Sequence, residues 1–271
     1  MPFTLSHAVV ALPFVRTPLI PAAIAVGAMT PDLPLFIRTG LPLYDVTHDA
    51  VMLPVTMLLA LALLLVWRCV LRPSVGELTP RWFAARLPAA WESGPGPSLR
   101  ETFAGKDGRV TARSAAILAI SLLLGVLSHI VWDLFTHEGR GGVALLPALA
   151  DPWGVVPGYK WLQHGSSVIA LLVLGVWAMV WLRRRRPEAV ERMLPAAVRY
   201  TVWLSLPAVL VAAWVIGLSV YGPMTDEWTP QHLAYRVLPT AVGVWGLCVF
   251  VLAAVVATRG ATSAPGRRID R

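Results

Sequence analysis

Five stretches of this chain are apolar over lengths that only a membrane accommodates easily. A helix needs about 20 consecutive apolar residues to cross the hydrocarbon core of a bilayer. The sequence predicts such helices at about 51–70, 114–135, 165–182, 198–220 and 236–257. Of the 271 residues 56% are hydrophobic and only 14% are charged, which excludes ordinary soluble classes. The predicted fold class is therefore all-α, a polytopic membrane helical bundle.

Lysine and arginine are distributed unevenly between these spans, and this predicts the orientation of the chain. Of the 23 basic residues, 18 fall in 68–113, 183–199 and 259–271. Cytoplasmic loops carry the excess of positive charge in membrane proteins. We therefore predict that these three segments and the C-terminus are cytoplasmic. The net charge of +8 then indicates topology and contact with membrane lipid, and no nucleic-acid motif accompanies it, so nucleic acid is not the expected partner.

One membrane domain over 1–258, followed by a basic cytoplasmic tail at 259–271, is the simplest division. Within the cytoplasmic loop 71–113, Thr79 and Pro80 predict the cap and first residue of a short interfacial helix. The segment 93–109 has the composition of a flexible linker. Ser166 or Ser167 is expected to cap the start of the third span.

The first 50 residues are apolar but interrupted by prolines, and they allow two interpretations. We favour a re-entrant helical hairpin that enters after His7 and returns to the same side at Asp32. Broken helices at membrane depth are tolerated only where protein or a wet cavity surrounds them. The alternative is an intact span at 18–37, which would leave His7 on the cytoplasmic side.

Histidine is confined to one side under the predicted topology. The six histidines, all on the outer side, are His7, His48, His129, His137, His164 and His232. His129, Asp133 and His137 follow each other at intervals of four, so on one continuous helix they would project from a single face. Ionisable side chains in membrane segments are usually functional, although an isolated His129–Asp133 pair could be a satisfied polar contact at a helix end.

Several of these residues are predicted to meet at the outer face. Thr47-His48-Asp49 precedes the first span and Pro31-Asp32 ends the hairpin, so both would arrive near the end of the second span. The expected metal-ligand cluster is His7, Asp32, His48, His129 and Asp133. Imidazole and carboxylate ligands suit Zn²⁺, and also Mn²⁺ or Fe²⁺. His137 and His164 are possible additional ligands, or solvated residues at the interface, and His232 is expected to be a loop residue.

Five motifs carry a resemblance to a known family. In chain order they are MPFTLSHAVVALPF, MTPDL, THD, LSHIVWDLFTH and YKWLQHGSS. In these the chain resembles domain-of-unknown-function family 4184, uncharacterised membrane proteins of bacteria. It is more distantly similar to the membrane-bound metal-dependent hydrolases of the bacterial inner membrane. That second resemblance implies a metal site at the same five positions, but Pro34 stands where those hydrolases have a second acid, and Asp49 where they have serine.

Two functions from different classes are compatible with these features. A metal-dependent hydrolase at the outer face would act on a lipid or lipid-linked (phospho)ester, with Asp49 or Asp133 as the base. An ion- or proton-coupled carrier could use the same polar cluster, but the fourth and fifth spans offer no comparable polar path. A purely structural or interaction protein would leave the one-sided histidines unexplained.

Overall fold

The computed structural model describes residues 4–37, 43–105 and 108–262, with side chains described as far as residue 258. Within these ranges five helical segments are long and apolar enough to cross a membrane. They are Leu53–Leu78, Ala112–Thr136, Gly158–Arg183, Ala196–Tyr221 and Pro230–Thr258. These segments correspond to the five predicted spans and confirm the all-α polytopic fold class.

The helices are named in chain order. They are α1 (Pro21–Met29), α2 (Leu33–Phe36), α3 (Leu43–His48), α4 (Leu53–Val66), α5 (Arg72–Leu78), α6 (Arg81–Ala84), α7 (Pro95–Phe103), α8 (Ala112–Thr136), α9 (Gly141–Leu145), α10 (Gly158–Arg183), α11 (Ala196–Tyr221) and α12 (Pro230–Thr262). A 3₁₀-helix, Thr4–Phe14, precedes α1, and a second, Thr30–Asp32, follows it. A π-helical turn, Trp67–Leu71, joins α4 to α5 in one continuous segment.

The chain forms two compact units. Unit 1 comprises Met1–Leu33, Pro42–Leu65 and Arg100–Arg185, and unit 2 comprises Pro34–Leu41, Val66–Leu99 and Arg186–Arg271. The division into one membrane domain and a tail stays a prediction. Every predicted metal-site residue falls in unit 1.

The N-terminal part of unit 1 is a broken helical hairpin, as the favoured interpretation predicts. The 3₁₀-helix Thr4–Phe14 packs against α1, and α1 lies along α8. The alternative of an intact span at 18–37, with His7 on the opposite side, is wrong, because residues 18–20 are not helical and the Thr4 hydroxyl donates to Asp32, which brings the two ends of the hairpin together. Prolines explain the short elements, since each removes a backbone donor from the helical pattern.

Two glycines allow the hairpin to approach α8 closely. A Cβ at Gly27 would lie 2.7 Å from the Leu122 carbonyl oxygen, and a Cβ at Gly125 would collide with the Ile24 carbonyl oxygen. Neither neighbour is a side chain that could rotate away. This backbone contact holds the end of the hairpin beside His129, one helical turn further along α8.

Two short helices, α7 and α6, depart from the sequence predictions. Segment 93–109 was expected to be a linker, yet α7 occupies Pro95–Phe103. Prolines at 95 and 97 fit the first turn, where the backbone N–H has no helical acceptor, and Ser98 is buried and accepts from Arg72 Nη2 at 3.3 Å. The short helix α6 begins at Arg81 with Pro80 as its cap residue, because the Thr79 hydroxyl donates back to Val75 O instead of capping.

The third span also begins earlier than predicted. Helix α10 starts at Gly158, so Ser166 and Ser167 lie within it and do not cap it. The polar sequence before the apolar run therefore extends the helix instead of ending it. The consequence is that Gln163 and His164 are carried on α10.

Candidate metal centre

The hairpin brings its two ends together at one place. His7 lies in the 3₁₀-helix Thr4–Phe14, and its ring stacks on that of His129 with 4.1 Å between centroids. Asp32 lies at the opposite end of the hairpin, where its Oδ2 accepts a hydrogen bond of 2.7 Å from the Thr4 hydroxyl. Both side chains are buried. The first and last residues of the hairpin are thus fixed beside α8.

His48 arrives from the last residue of α3. The Thr47 hydroxyl donates to Pro31 O at 2.8 Å, which ties this helix to the end of the hairpin. His48 Nδ1 lies 2.8 Å from Tyr44 O, and the two rings stack at 3.9 Å. The ring is therefore held on both its edge and its face, with Nε2 directed at His129.

His129 and Asp133 lie one turn apart on the buried face of α8. His129 is fully buried, and its Nδ1 lies 2.7 Å from Ala28 O of the hairpin. Asp133 Oδ2 is 3.5 Å from His129 Nε2. The predicted spacing of four residues thus does bring these two groups to one point.

Ligand atoms of His48, Asp32 and Asp133 each lie within 3.7 Å of His129 Nε2. His129 Nε2 lies 3.3 Å from His48 Nε2 and 3.7 Å from Asp32 Oδ1. His48 Nε2 is 3.7 Å from Asp133 Oδ2. Ligand atoms bound tetrahedrally at about 2.1 Å would stand roughly 3.4 Å from each other. The observed separations are those of a cluster that could enclose a cation.

The tautomers of the two imidazoles support the same conclusion. Because a carbonyl oxygen can only accept, His129 Nδ1 and His48 Nδ1 each carry the hydrogen that is donated to Ala28 O and Tyr44 O. In the neutral rings both Nε2 atoms then present lone pairs to each other and to the Asp133 carboxylate. Backbone carbonyls commonly fix metal-binding histidines in this way. The residues present therefore fit a divalent metal.

His7 adds a further candidate ligand beside His129 and Asp133. His7, His129 and Asp133 also form a group whose ligand atoms lie within 4.8 Å of one another, as do Asp32, His48 and His129. Among the described residues, His7 Nε2 and Asp133 Oδ1 are buried atoms with no hydrogen-bond partner. The five predicted ligand positions thus occupy one site, although their role as ligands stays a prediction.

Burial sets the charge of the two hairpin residues. Burial, helped by the neighbouring His129, lowers the pKa of His7 to about 3, which leaves its ring neutral and able to bind through a lone pair. Burial also raises the pKa of Asp32, against the effect of His129 and of the Thr4 hydrogen bond. A bound cation would favour the ionised carboxylate and oppose this rise in pKa.

His137 lies at the edge of the cluster. It is the residue after the last turn of α8, and its Nδ1 is 3.6 Å from Asp133 Oδ2. Lys160 Nζ donates to Gln163 Oε1 at 3.2 Å, so the Gln163 amide nitrogen faces His137 Nε2 at 3.1 Å. Gln163 therefore places the proton of a neutral His137 on Nδ1, facing Asp133. Its part as a ligand stays a prediction.

Three other predicted residues lie apart from these contacts. His164 is exposed on α10, and no metal-competent group of the described residues contains it. Asp49, a candidate base, is exposed, and its Oδ1 accepts from the Val51 backbone N–H at 2.8 Å; its part as a base stays a prediction. His232 is exposed in the first turn of α12, a helix of unit 2, where its ring stacks on Trp228.

Sequence reasoning missed the groups that support the ligands. Thr4, Tyr44 and Gln163 act through a hydroxyl, a backbone carbonyl and an amide, and none of these is a ligand type that a search for histidine and acid detects. Thr4 and Gln163 do lie within the motifs MPFTLSHAVVALPF and YKWLQHGSS. Their place inside those motifs is the signal that could have identified them.

The family can now be stated from the whole chain. A sequence profile for a domain of unknown function, DUF4184, matches residues 1–259. The chain belongs to this family. The match covers every residue of the cluster and all five spanning helices. No curated protein and no solved structure matches the chain.

Proposed function

We propose that this protein is a membrane-embedded, metal-dependent hydrolase whose site is the cluster of His7, Asp32, His48, His129 and Asp133. The observation that carries the proposal is the close approach of two imidazole nitrogens, with 3.3 Å between His48 Nε2 and His129 Nε2. In the neutral rings both nitrogens present lone pairs, which repel at this distance unless a cation or a proton lies between them. Zn²⁺ is the first candidate, and Mn²⁺ or Fe²⁺ would also accept these ligands.

A divalent metal bound there would supply a nucleophile from water at neutral pH and polarise a phosphoryl or acyl oxygen. The residues of the chain do the rest. The hairpin and α8 exclude bulk solvent, since His129 and Asp32 are almost completely buried. Asp133 Oδ1, which has no partner among the described residues, is free to take a proton while Oδ2 stays with the histidines.

The substrate class follows from the location of the site. The cluster lies at the end of the spanning helix α8, where a molecule from the membrane can reach it. A lipid or lipid-linked (phospho)ester would bring its polar bond to this depth. We further propose the cytoplasmic membrane of a bacterium as the location, with the C-terminus in the cytoplasm and the cluster at the outer face.

Orientation is tested by accessibility. A tag after Gly141 should react with a reagent that does not cross membranes, and tags within 93–109 and at the C-terminus should not, because 18 of 23 basic residues lie in the three segments that we place inside. Labelling should be all or none at each position. A Gly141 tag that the reagent labels only after the membrane is permeabilised would contradict a site at the outer face.

Activity is tested on purified protein in detergent. Lipid phosphoesters and carboxylic esters are supplied, and the released phosphate or acid is measured before chelation, after chelation and after Zn²⁺, Mn²⁺ or Fe²⁺ is restored. We expect hydrolysis that chelation abolishes and one of these metals restores. Asp133→Asn is the matched control, since it keeps the side-chain shape but loses the carboxylate. Equal release by wild type and Asp133→Asn would contradict the proposal.

A further inference from the structure

A groove of about 480 Å³ lies directly beside the cluster, within unit 1. Its walls come from the 3₁₀-helix Thr4–Phe14, α8 and α10. His7 is shared between the groove and the cluster, because it lines the groove while its ring stacks on His129. The groove therefore reaches the candidate metal site through one side chain.

The walls of the groove are apolar along most of their length. Val9, Val10, Ile169, Ala170 and Val173 supply aliphatic surface, and Trp132 adds an indole face. Three serines, Ser6, Ser128 and Ser166, also line the groove. The Ser128 hydroxyl donates to Gly125 O, the Ser166 hydroxyl donates to Gln163 O, and Ser6 also has a partner within the protein. A polar ligand would find little to bond to along these walls.

The surroundings of the groove indicate what covers it. Both α8 and α10 are membrane-spanning by length and composition, and the groove residues of α10 from Ile169 to Val173 lie in the middle third of that helix. Ile169 is 63% exposed and Val173 is 44% exposed. Apolar residues exposed at mid-span face hydrocarbon in a bilayer. These surroundings favour a hydrocarbon chain as the occupant.

One end of the groove differs from the rest. His7 has a relative exposure of only 8%. Its Nε2 has no hydrogen-bond partner among the described residues. A buried nitrogen of this kind costs free energy unless a ligand satisfies it. A metal bound by the cluster would satisfy this nitrogen, and the polar end of the groove would then lie at the metal, where the head group of a molecule whose chain fills the apolar part would be placed.

We propose that the groove binds one acyl chain of a membrane phospholipid and thereby presents the head-group phosphoester to His7 and the cluster. The fate of the head group rests on the proposed hydrolase function, whereas the binding of the chain does not. The proposal narrows the substrate class to lipids whose ester lies next to an acyl chain. It also makes Val10, Ile169 and Val173 determinants of binding that take no part in metal ligation.

The test uses full-length protein in phosphatidylethanolamine vesicles. The probe is a phosphatidylglycerol that carries a photoactivatable diazirine in the middle of one acyl chain. After irradiation, labelled residues are mapped by mass spectrometry as the probe's mole fraction is increased, with unlabelled phosphatidylglycerol as competitor. At Ile169–Val173 we expect labelling that saturates and is competed away. At Val176, which is 63% exposed on the same helix but does not line the groove, labelling should rise in proportion to the probe.

Two matched variants complete the experiment. Val173→Trp fills the groove and should abolish saturable labelling there while leaving the metal content unchanged. Val176→Trp makes the same change three residues away and should leave both unchanged. Proportional, uncompeted labelling at Ile169–Val173 in wild type, or saturable labelling that persists in Val173→Trp, would overturn the proposal.

The metal content of the same samples separates the two proposals. Saturable groove labelling in wild-type protein that holds no metal would uphold the lipid groove and contradict the hydrolase function. Stoichiometric metal without saturable labelling would contradict the groove and leave the metal site standing.

Discussion

Both compact units bury a carboxylate, but they surround it with different partners. In unit 2, Glu77 Oε1 and Oε2 accept hydrogen bonds of 2.9 and 3.1 Å from the backbone N–H groups of Met193 and Leu194. In unit 1, Asp133 Oδ2 faces imidazoles while Oδ1 has no partner among the described residues. Backbone N–H donors satisfy both oxygens of Glu77. Asp133 faces imidazole nitrogens and has one oxygen without a partner among the described residues, so it can still bind a cation or a proton. The partners, and not burial itself, separate a structural carboxylate from a candidate functional one.

The histidines show the same difference. His129 is fully buried and contacts the four other ionisable side chains of the cluster. His232 is exposed, stacks on Trp228, and its Nδ1 pairs with the Thr229 hydroxyl at 3.0 Å. A histidine at a helix end in a membrane protein is thus no indication of a site without convergent neighbours.

Exchanging the two carboxylates for amides should give opposite results. Asp133→Asn should lose all bound metal, because an amide is a much weaker ligand, with unfolding close to that of metal-free wild type. Glu77→Gln should keep its metal, but its free energy of unfolding should fall by about 1–3 kcal/mol, since an amide group then faces backbone donors. Metal content and thermal unfolding in detergent measure both. If Glu77→Gln lost its metal and Asp133→Asn kept it, Glu77 and not Asp133 would be the functional carboxylate.

Glycine substitutions compare how tightly each unit is packed. A Cβ at Gly125 would meet the backbone of α1, whereas one at Gly217 would meet the Leu233 side chain, with its Cδ1 at 2.8 Å. Gly125→Ala should therefore destabilise by about 1–3 kcal/mol and weaken metal binding, as overpacking does. Gly217→Ala should cost less, because Leu233 can change rotamer.

Gly175→Ala is the control for both, since no atom lies within 4 Å of its added Cβ. Unfolding temperature and metal content are measured for all three variants. If Gly125→Ala behaved like Gly175→Ala, the close contact between hairpin and α8 would not be what positions the site.

Two threonines provide the smallest and most selective contrast. The Thr4 hydroxyl donates to Asp32 in unit 1, and the Thr229 hydroxyl pairs with His232 in unit 2. Thr4→Val should weaken metal binding about 10–100-fold, as changes to groups that support ligands do, while Thr229→Val should have no effect. Titration with a competing chelator measures the affinities. Equal affinities in the two variants would show that the Thr4 hydrogen bond does not support Asp32 as a ligand.

The spans and the cluster were predictable because each depends on local chemistry. A run of about 20 apolar residues is stable as a helix that spans the membrane. The interval of four residues between His129 and Asp133 places both on the same face of such a helix. The hairpin prediction succeeded for a related reason, since prolines at 18 and 21 favour a turn between two short apolar helices.

The remaining features depend on contacts distant in sequence. The carbonyl of Ala28 orients His129 although the two residues are 101 positions apart. No sequence pattern within α8 predicts this contact. Helix α7 forms where Pro and Gly predicted a linker, because Ser98 packs into unit 2. Tyr44 supports His48 through its backbone carbonyl, a group that every residue carries, so residue type gives no sign of it.

The most direct test is the metal content of purified wild-type protein, measured beside His129→Ala and His232→Ala at equal protein concentration. The account predicts about one divalent metal per chain in wild type and His232→Ala, with X-ray absorption giving nitrogen and oxygen ligands at about 2.0–2.2 Å. His129→Ala should remain in the membrane and hold none. Equally little metal in wild type and His129→Ala would contradict the account and make the cluster a buried hydrogen-bond network, as a carrier or scaffold would use.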